Sequence, residues 1–481
     1  MPFLIALSAF AVIFLVLLSV ILVRAVLFKP KAAEVPQAEA VFVNAEKATV
    51  DLAEMIKCRT VSDKNPENED EGEFIKFKTL LPTLFPRVYE ECEYIEIGDR
   101  AILFRWSGKF HATPTVLMAH YDVVSANEEN WDKPAFSGII ENGVLWGRGT
   151  LDTKGTLNGI LQAAETLISD GFIPESDVYF AFGGDEEIAG HGASGVVNYF
   201  REHGITPGLV CDEGGAVVEG IFPGVKKPAA LIGIAEKGML NIEYSVKGGG
   251  GHSSAPKPNA PVERLAAACV STLKKPFKFT LSPATMALFD NLGRHSTFIY
   301  RILFANLWLF APILDLYTRR VGGEINALVR TTLAFTQMQG SKGVNVIPPS
   351  AKIAVNLRLI PGETAETALE HLRAAVGDGG VEISETYGMN PSRISLGDCE
   401  EYEKLARAIS ETWQGAVVSP YLMVACSDSR HWGVISDKVY RFSAMALSNE
   451  ERSYIHGNNE RIPVGTITKI VEFYIRLIKK C

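Results

Sequence analysis

TLNGILQAAETLISDGFIPESDVYFAFGG, residues 156–184, joins a helix-like segment to an apolar strand-like run. Residues 156–170 carry helical periodicity, and 178–184 form a short apolar stretch bounded by glycines. The pattern repeats outward. AILFRW (101–106), TVLMAH (115–120) and GLVCDEGG (208–215) are further strand-like runs with helix-like segments between them. Such alternation predicts an α/β fold with a mainly parallel sheet. Ligands of such sheets sit beyond the carboxyl ends of the strands.

A second pattern begins near Lys237. NIEYSVKG, AKIAVNLRLI and VEISETYG read as strands, and VERLAAACVSTLKK and TAETALEHLRAAV as helices. They predict a two-layer α+β module inserted at 237–389. From 390 to 481 the chain returns to the first pattern, which the insertion therefore splits into 45–236 and 390–481.

Ahead of these lies an uncharged apolar run, residues 3–23. As a helix it spans about 30 Å, the thickness of a hydrocarbon core. No basic residue precedes it, and Arg24, Lys29 and Lys31 follow, which favours a single-pass anchor over a cleaved signal peptide. The positive-inside rule then places the remainder in the cytoplasm. Residues 1–30 are read as the anchor and 31–44 as a tether. A second apolar stretch, FIYRILFANLWLFAPILDLY (298–317), is interrupted by Arg301, Pro312 and Asp315. It reads as an amphipathic or buried helical hairpin rather than a second span. The interruptions also count against a channel or transport component.

Lys plus Arg number 47 against 56 Asp plus Glu, a net charge of −9, which argues against a nucleic-acid partner. Any bound anion must be met by local arginines or by metal. Seven cysteines without a C-x-x-C pair exclude both a secreted disulfide framework and a cysteine-built zinc site. No G-x-S-x-G elbow or P-loop occurs, which lowers the case for a serine esterase or an NTPase.

Five motifs carry chemistry. MAHYDVV offers His120 and Asp122, two residues apart on one strand face, so that Asp122 can orient the imidazole. WGRGTLDTKG offers Asp152, either a helix cap or a carboxylate bridging two cations. GGDEEIAGHG offers Asp185, Glu186 and Glu187. Neighbouring acids diverge in direction, so one can ligate metal while the next takes a proton. LVCDEGG offers Asp212 and Glu213, and SYIHGNNERI offers His456. Any one could be incidental. Five at the ends of apolar runs suit a two-metal hydrolytic site of zinc, with manganese or cobalt as alternatives.

In this order the motifs resemble the dizinc metallopeptidase family of aminoacylase, carboxypeptidase S and carboxypeptidase G. The anchor and long insert are most similar to carboxypeptidase S and the N-fatty-acyl-amino-acid hydrolases. The resemblance covers nearly all of the chain beyond the anchor. It implies that His120, Asp152 and Asp212 bind one metal, and Asp152, Glu187 and His456 the other. Asp212 is taken over Glu213 on the family pattern only. Glu186 would be the general base, Asp122 the partner of His120, and the Asp152–Thr153 peptide bond cis.

The insert would be the family's lid. His252, in GGGGHSSAP, would be an oxyanion donor reaching a neighbouring subunit's site in a homodimer joined through the lid. Arg358, in VNLRLIPGE, reads equally as a substrate-carboxylate clamp or a surface ion pair. Asp428, Ser429 and Arg430 match a further family segment near the site, with Arg430 as a substrate contact. The implied reaction is metal-dependent hydrolysis of amide bonds in short peptides or N-acyl amino acids. The alternative is a non-catalytic, membrane-anchored binding protein that keeps the fold.

Overall fold

A computed structural model of the chain describes residues 2–30, 38–377 and 379–481. Residues 31–37 of the tether expected at 31–44 lie outside the described residues.

The apolar runs form one mixed, mostly parallel sheet of ten strands. From one edge its order is Glu93–Ile97, Ala101–Trp106, Ser176–Gly183, Phe110–His120, Leu209–Asp212, Val439–Arg441, Ala229–Glu236, Val217–Val218 and Ala446–Leu447. Val417–Met423 pairs beside Ala229–Glu236. The strand ending at His120 runs parallel to both of its neighbours, so their carboxyl ends open on the same side. Ser176–Gly183 is buried along nearly its whole length, which explains its unbroken apolar run. Helix Lys154–Ser169 covers one face and packs against helix Val464–Ile478. Gly159 permits this approach, because a Cβ there would lie 2.3 Å from Cγ2 of Ile470.

A separate four-stranded antiparallel sheet has the order Thr332–Gln339, Ser350–Leu359, Gly238–Lys247 and Glu382–Met389. Helices Pro261–Lys274 and Ala365–Val376 cover one face, around a core that includes Leu240, Tyr244, Leu265, Ile353 and Leu372. Helices Pro283–His295, Phe298–Ala305 and Leu307–Val321, which come next in sequence, do not join this core. Leu288, Phe289, Leu292, Phe304 and Leu314 pack with the first sheet. Residues 237–389 therefore divide between two cores.

Helix Pro2–Leu27 is 26 residues long and apolar enough to cross a membrane, as an anchor or a signal sequence does. Only Ile21 and Ala25 on it are buried. The second apolar stretch forms helices Phe298–Ala305 and Leu307–Val321, bent by 105° at Asn306, with one face buried and the other exposed. All seven cysteines are free.

Candidate active site

The site lies where the strands of His120, Gly183 and Asp212 end together. Thr153 holds the end of the His120 strand: its Oγ1 accepts from His120 N at 2.8 Å and donates to His120 O at 2.9 Å. The Asp152–Thr153 peptide bond is cis. The imidazole of His120 presents Nε2 to Asp152 Oδ1 at 2.9 Å. His456, brought in from near the C-terminus, presents Nε2 to Asp152 Oδ2 at 2.9 Å and to Glu187 Oε1 at 3.1 Å. The two oxygens of Asp152 thus face two separate donor groups, His120–Asp152–Glu213 and Asp152–Glu187–His456. Within each group the ligating atoms lie within 4.8 Å of one another.

Glu213, rather than Asp212, lies with His120 and Asp152 in the first group. Glu213 Oε1 is 3.6 Å from His120 Nε2. Neighbouring side chains at a strand end point to opposite sides. The carboxylate of Asp212 is turned away to accept the amide of Ser429 at 2.8 Å.

Asp122 sits beneath, fully buried. Its carboxylate lies 3.3 Å from His120 Nδ1 and accepts from Ser62 Oγ at 2.7 Å. It also accepts the backbone N–H groups of Glu186 at 3.2 Å and Glu187 at 3.1 Å. One carboxylate therefore orients a ring of the first group and fixes the backbone of the two glutamates. Glu460 does the same for the Asp152 loop. Fully buried, it is bound by Arg148 at 2.6 Å and accepts the amides of Gly149 and Leu151 at 3.1 and 2.8 Å. Sequence reasoning missed this role. The only signal was an acid inside the same SYIHGNNERI segment that supplies His456.

Glu186 belongs to neither donor group. It lines the same cleft as Asp152, Glu187, Glu213 and His456, with Oε1 3.8 Å from Arg430. Burial and the nearby charge of Asp428 raise its pKa well above the ordinary glutamate value. Burial and the Asp152 charge do the same for Glu213. Burial also pushes Asp152 up, but hydrogen bonds from His120 and His456 outweigh it and hold that carboxyl below its usual range. Hydrogen bonds to Asp152 and Glu187 raise His456 to about 10. Buried carboxyls crowded toward neutrality are groups that a cation would return to the ionised form. Imidazoles and carboxylates are also the donor types that zinc, manganese and cobalt accept. The residues fit a pair of divalent ions.

The other expected residues divide. Arg358, from the second sheet, lines the cleft, where its guanidinium donates to Cys426 Sγ at 3.3 Å. Among the described residues it forms no salt bridge, which removes the surface ion-pair reading. Arg430 lines the cleft too, but its guanidinium is engaged with Ser427 O at 2.9 Å and faces Asp428 at 3.5 Å. His252 is exposed on strand Gly251–His252, 2.8 Å from Ser254 Oγ, and takes no part in the cleft lining.

A parallel sheet with His and carboxylate donors at its strand ends, one Asp facing both donor groups and a separate glutamate alongside, defines a dinuclear metallohydrolase. The family model "Peptidase family M20/M25/M40" matches residues 116–480, and the chain belongs to that family. It is a metal-dependent hydrolase that cleaves the amide bond of peptides or N-acyl amino acids. It is 36% identical over 438 residues to a probable carboxypeptidase S-like 2 of Dictyostelium discoideum, covering 89% of this chain and 84% of that one. It is also 36% identical over 486 residues to N-fatty-acyl-amino acid synthase/hydrolase PM20D1 of Xenopus tropicalis, covering 98% and 94%. The fold matches that of an M20 family metallo-carboxypeptidase, Sso-CP2 of Sulfolobus solfataricus. The TM-score is 0.64 at 18% identity, over 90% of this chain and 98% of that one.

Proposed function

We propose that the chain hydrolyses N-acyl amino acids with an extended apolar acyl group, using two divalent ions, most simply zinc. His120, Asp152 and Glu213 would hold one ion, and Asp152, Glu187 and His456 the other. When bound, such ions lower the pKa of a shared water and polarise the scissile carbonyl. The chain itself moves the proton. Glu186 accepts it from the attacking water and returns it to the departing amine nitrogen. The observation that carries this reading is the placement of Glu186. It is half-buried in the cleft wall that also carries both donor groups, is a member of neither, and is fixed through its amide by Asp122.

The cleft, about 600 Å³, is lined by both charged and apolar side chains. Among the described residues the planar donors of Arg358 have no carboxylate partner, which suits them to the carboxylate of an amino acid. Val218, Ile221 and Leu231 line the same cleft, with Met239, Met423 and Met445. Methionine side chains repack readily and accommodate apolar groups of varied length. The relative named for N-fatty-acyl-amino acids supports the same substrate class. A panel of N-acyl amino acids of rising chain length, assayed against dipeptides with zinc, manganese and cobalt, tests it. kcat/KM should rise with acyl length. Dipeptides outperforming every acyl amino acid would reject the substrate reading.

Two further assignments belong here. Helix Pro2–Leu27 is a membrane anchor, which its almost wholly exposed apolar surface supports. His252 acts in a second copy's cleft, in a homodimer through the second sheet, which its exposure and its distance from its own cleft lining support.

A further inference from the structure

The bent helices Phe298–Ala305 and Leu307–Val321 expose large apolar residues on one side. Ile299 is 76% exposed, Leu316 71%, Ile313 62% and Trp308 58%. The other side is buried, with Phe304 stacked near Phe222 and Phe289. A patch of this kind on a folded surface marks an interaction site.

What covers it follows from the N-terminal helix. Arg24 donates from Nε and a terminal nitrogen to Ala305 O at 3.0 and 2.8 Å. Asn306 Nδ2 donates to Ile21 O at 3.2 Å. Arg294 donates to Lys29 O at 3.3 Å and stacks over Phe28. These contacts tie the corner of the bend to the level of Ile21–Arg24. Arg24 is the first charge after the apolar run, so Asn306 stands three residues inside it, about 4.5 Å along the helix axis. At whatever height the N-terminal helix enters a bilayer, the corner sits at the boundary between headgroups and acyl chains. The residues suit that depth: Trp308 and Tyr317 are amphipathic aromatics of the kind enriched there. The charges agree. The stretch carries three arginines, Arg301, Arg319 and Arg320, and one acid, Asp315, which is itself paired with Arg319 and Arg330.

We propose that the exposed face of residues 298–321 lies in the interface of the bilayer that holds the N-terminal helix, as a second, non-spanning contact favouring anionic lipid. The proposal rests on the anchor reading of that helix. Two attachment points at one depth fix the tilt of the catalytic sheet relative to the membrane, where a single helix on a tether leaves it free to swivel.

The test uses the full chain reconstituted in vesicles of phosphatidylcholine and phosphatidylserine. Cysteines introduced as Ile299→Cys, Leu316→Cys, Ile13→Cys and Val344→Cys carry an environment-sensitive nitrobenzoxadiazole label. The parent chain, labelled in parallel, gives the background from its own thiols. Val344, fully exposed on the second sheet's loop, is the aqueous control. Probes at 13, 299 and 316 should lose most of their emission to nitroxide-labelled lipid and little to aqueous chromium oxalate, and the probe at 344 the reverse. Lipid quenching at 13 with aqueous quenching at 299 and 316 would overturn the proposal and leave the anchor standing. Aqueous quenching at 13 would reject the anchor, and this proposal with it. Protection of 299 and 316 from both quenchers would mean that protein covers the face, and would also overturn the proposal.

Discussion

Glu213 Oε1 lies 3.6 Å from Nε2 of His120, whereas its neighbour Asp212 accepts the amide of Ser429. Glu213→Gln should therefore lower the bound metal from two ions per chain to one, with most activity lost. Asp212→Asn keeps an acceptor for Ser429. It should retain both ions and change kcat by roughly fivefold or less, the net worth of one hydrogen bond. Plasma mass spectrometry on both variants decides the assignment, and the opposite pattern would restore Asp212.

Arg358 offers the substrate a guanidinium that no carboxylate among the described residues engages. Charge-assisted hydrogen bonds are worth about 1.5–3 kcal/mol, so Arg358→Ala should raise KM roughly 10- to 100-fold for substrates with a free carboxylate. The matching carboxamide substrates should be little affected. Equal losses for both would remove the clamp.

Lys237 joins the two sheets. It is fully buried, with Nζ donating to Ala327 O at 3.0 Å and Arg330 O at 2.9 Å. Burial, with the charge of Arg358 nearby, lowers its pKa from 10.5 to about 7. Between those values the unfolded chain binds the proton and the folded chain does not, so this residue makes stability rise with pH across that window. Below about 7 both states are protonated and the folded state carries the full cost. Urea unfolding at pH 7 and pH 9 should show a positive slope that Lys237→Met diminishes. An unchanged slope in the variant would assign the effect to other groups.

If His252 works in a partner's cleft, two inactive variants should complement each other. A chain with Glu186→Gln keeps His252, and a chain with His252→Ala keeps Glu186. Mixed equally and allowed to exchange, they form heterodimers in half of the population, each with one intact site. Activity should recover to about a quarter of the unmodified level, following the exchange of a two-fold dimer. No recovery, in a mixture shown to contain heterodimers, would place His252 outside the chemistry.

The sheet and most of the site were legible because buried strands leave continuous apolar runs, and donors such as His120 and Glu187 stand where those runs stop. Asp212 and Glu213 were not separable, because a run's end does not say which of two adjacent acids turns into the cleft. Glu460 escaped notice because its task is to accept backbone amides, which a sequence does not display. The helices from Pro283 to Val321 were placed with the insert because an amphipathic stripe shows that a helix packs, not against which core. Phe304 and Leu314 chose the first sheet.

The central claim is that Glu186 transfers the proton while Glu187 holds metal. Glu186→Gln keeps the shape and removes the base, so the variant should retain both ions and lose about 10²–10⁴-fold in kcat. Glu187→Gln should instead bind metal weakly and regain part of its activity when metal is added. Metal content measured beside kcat in both variants is the direct test. An ion-depleted Glu186→Gln protein beside a fully loaded Glu187→Gln protein would contradict the account.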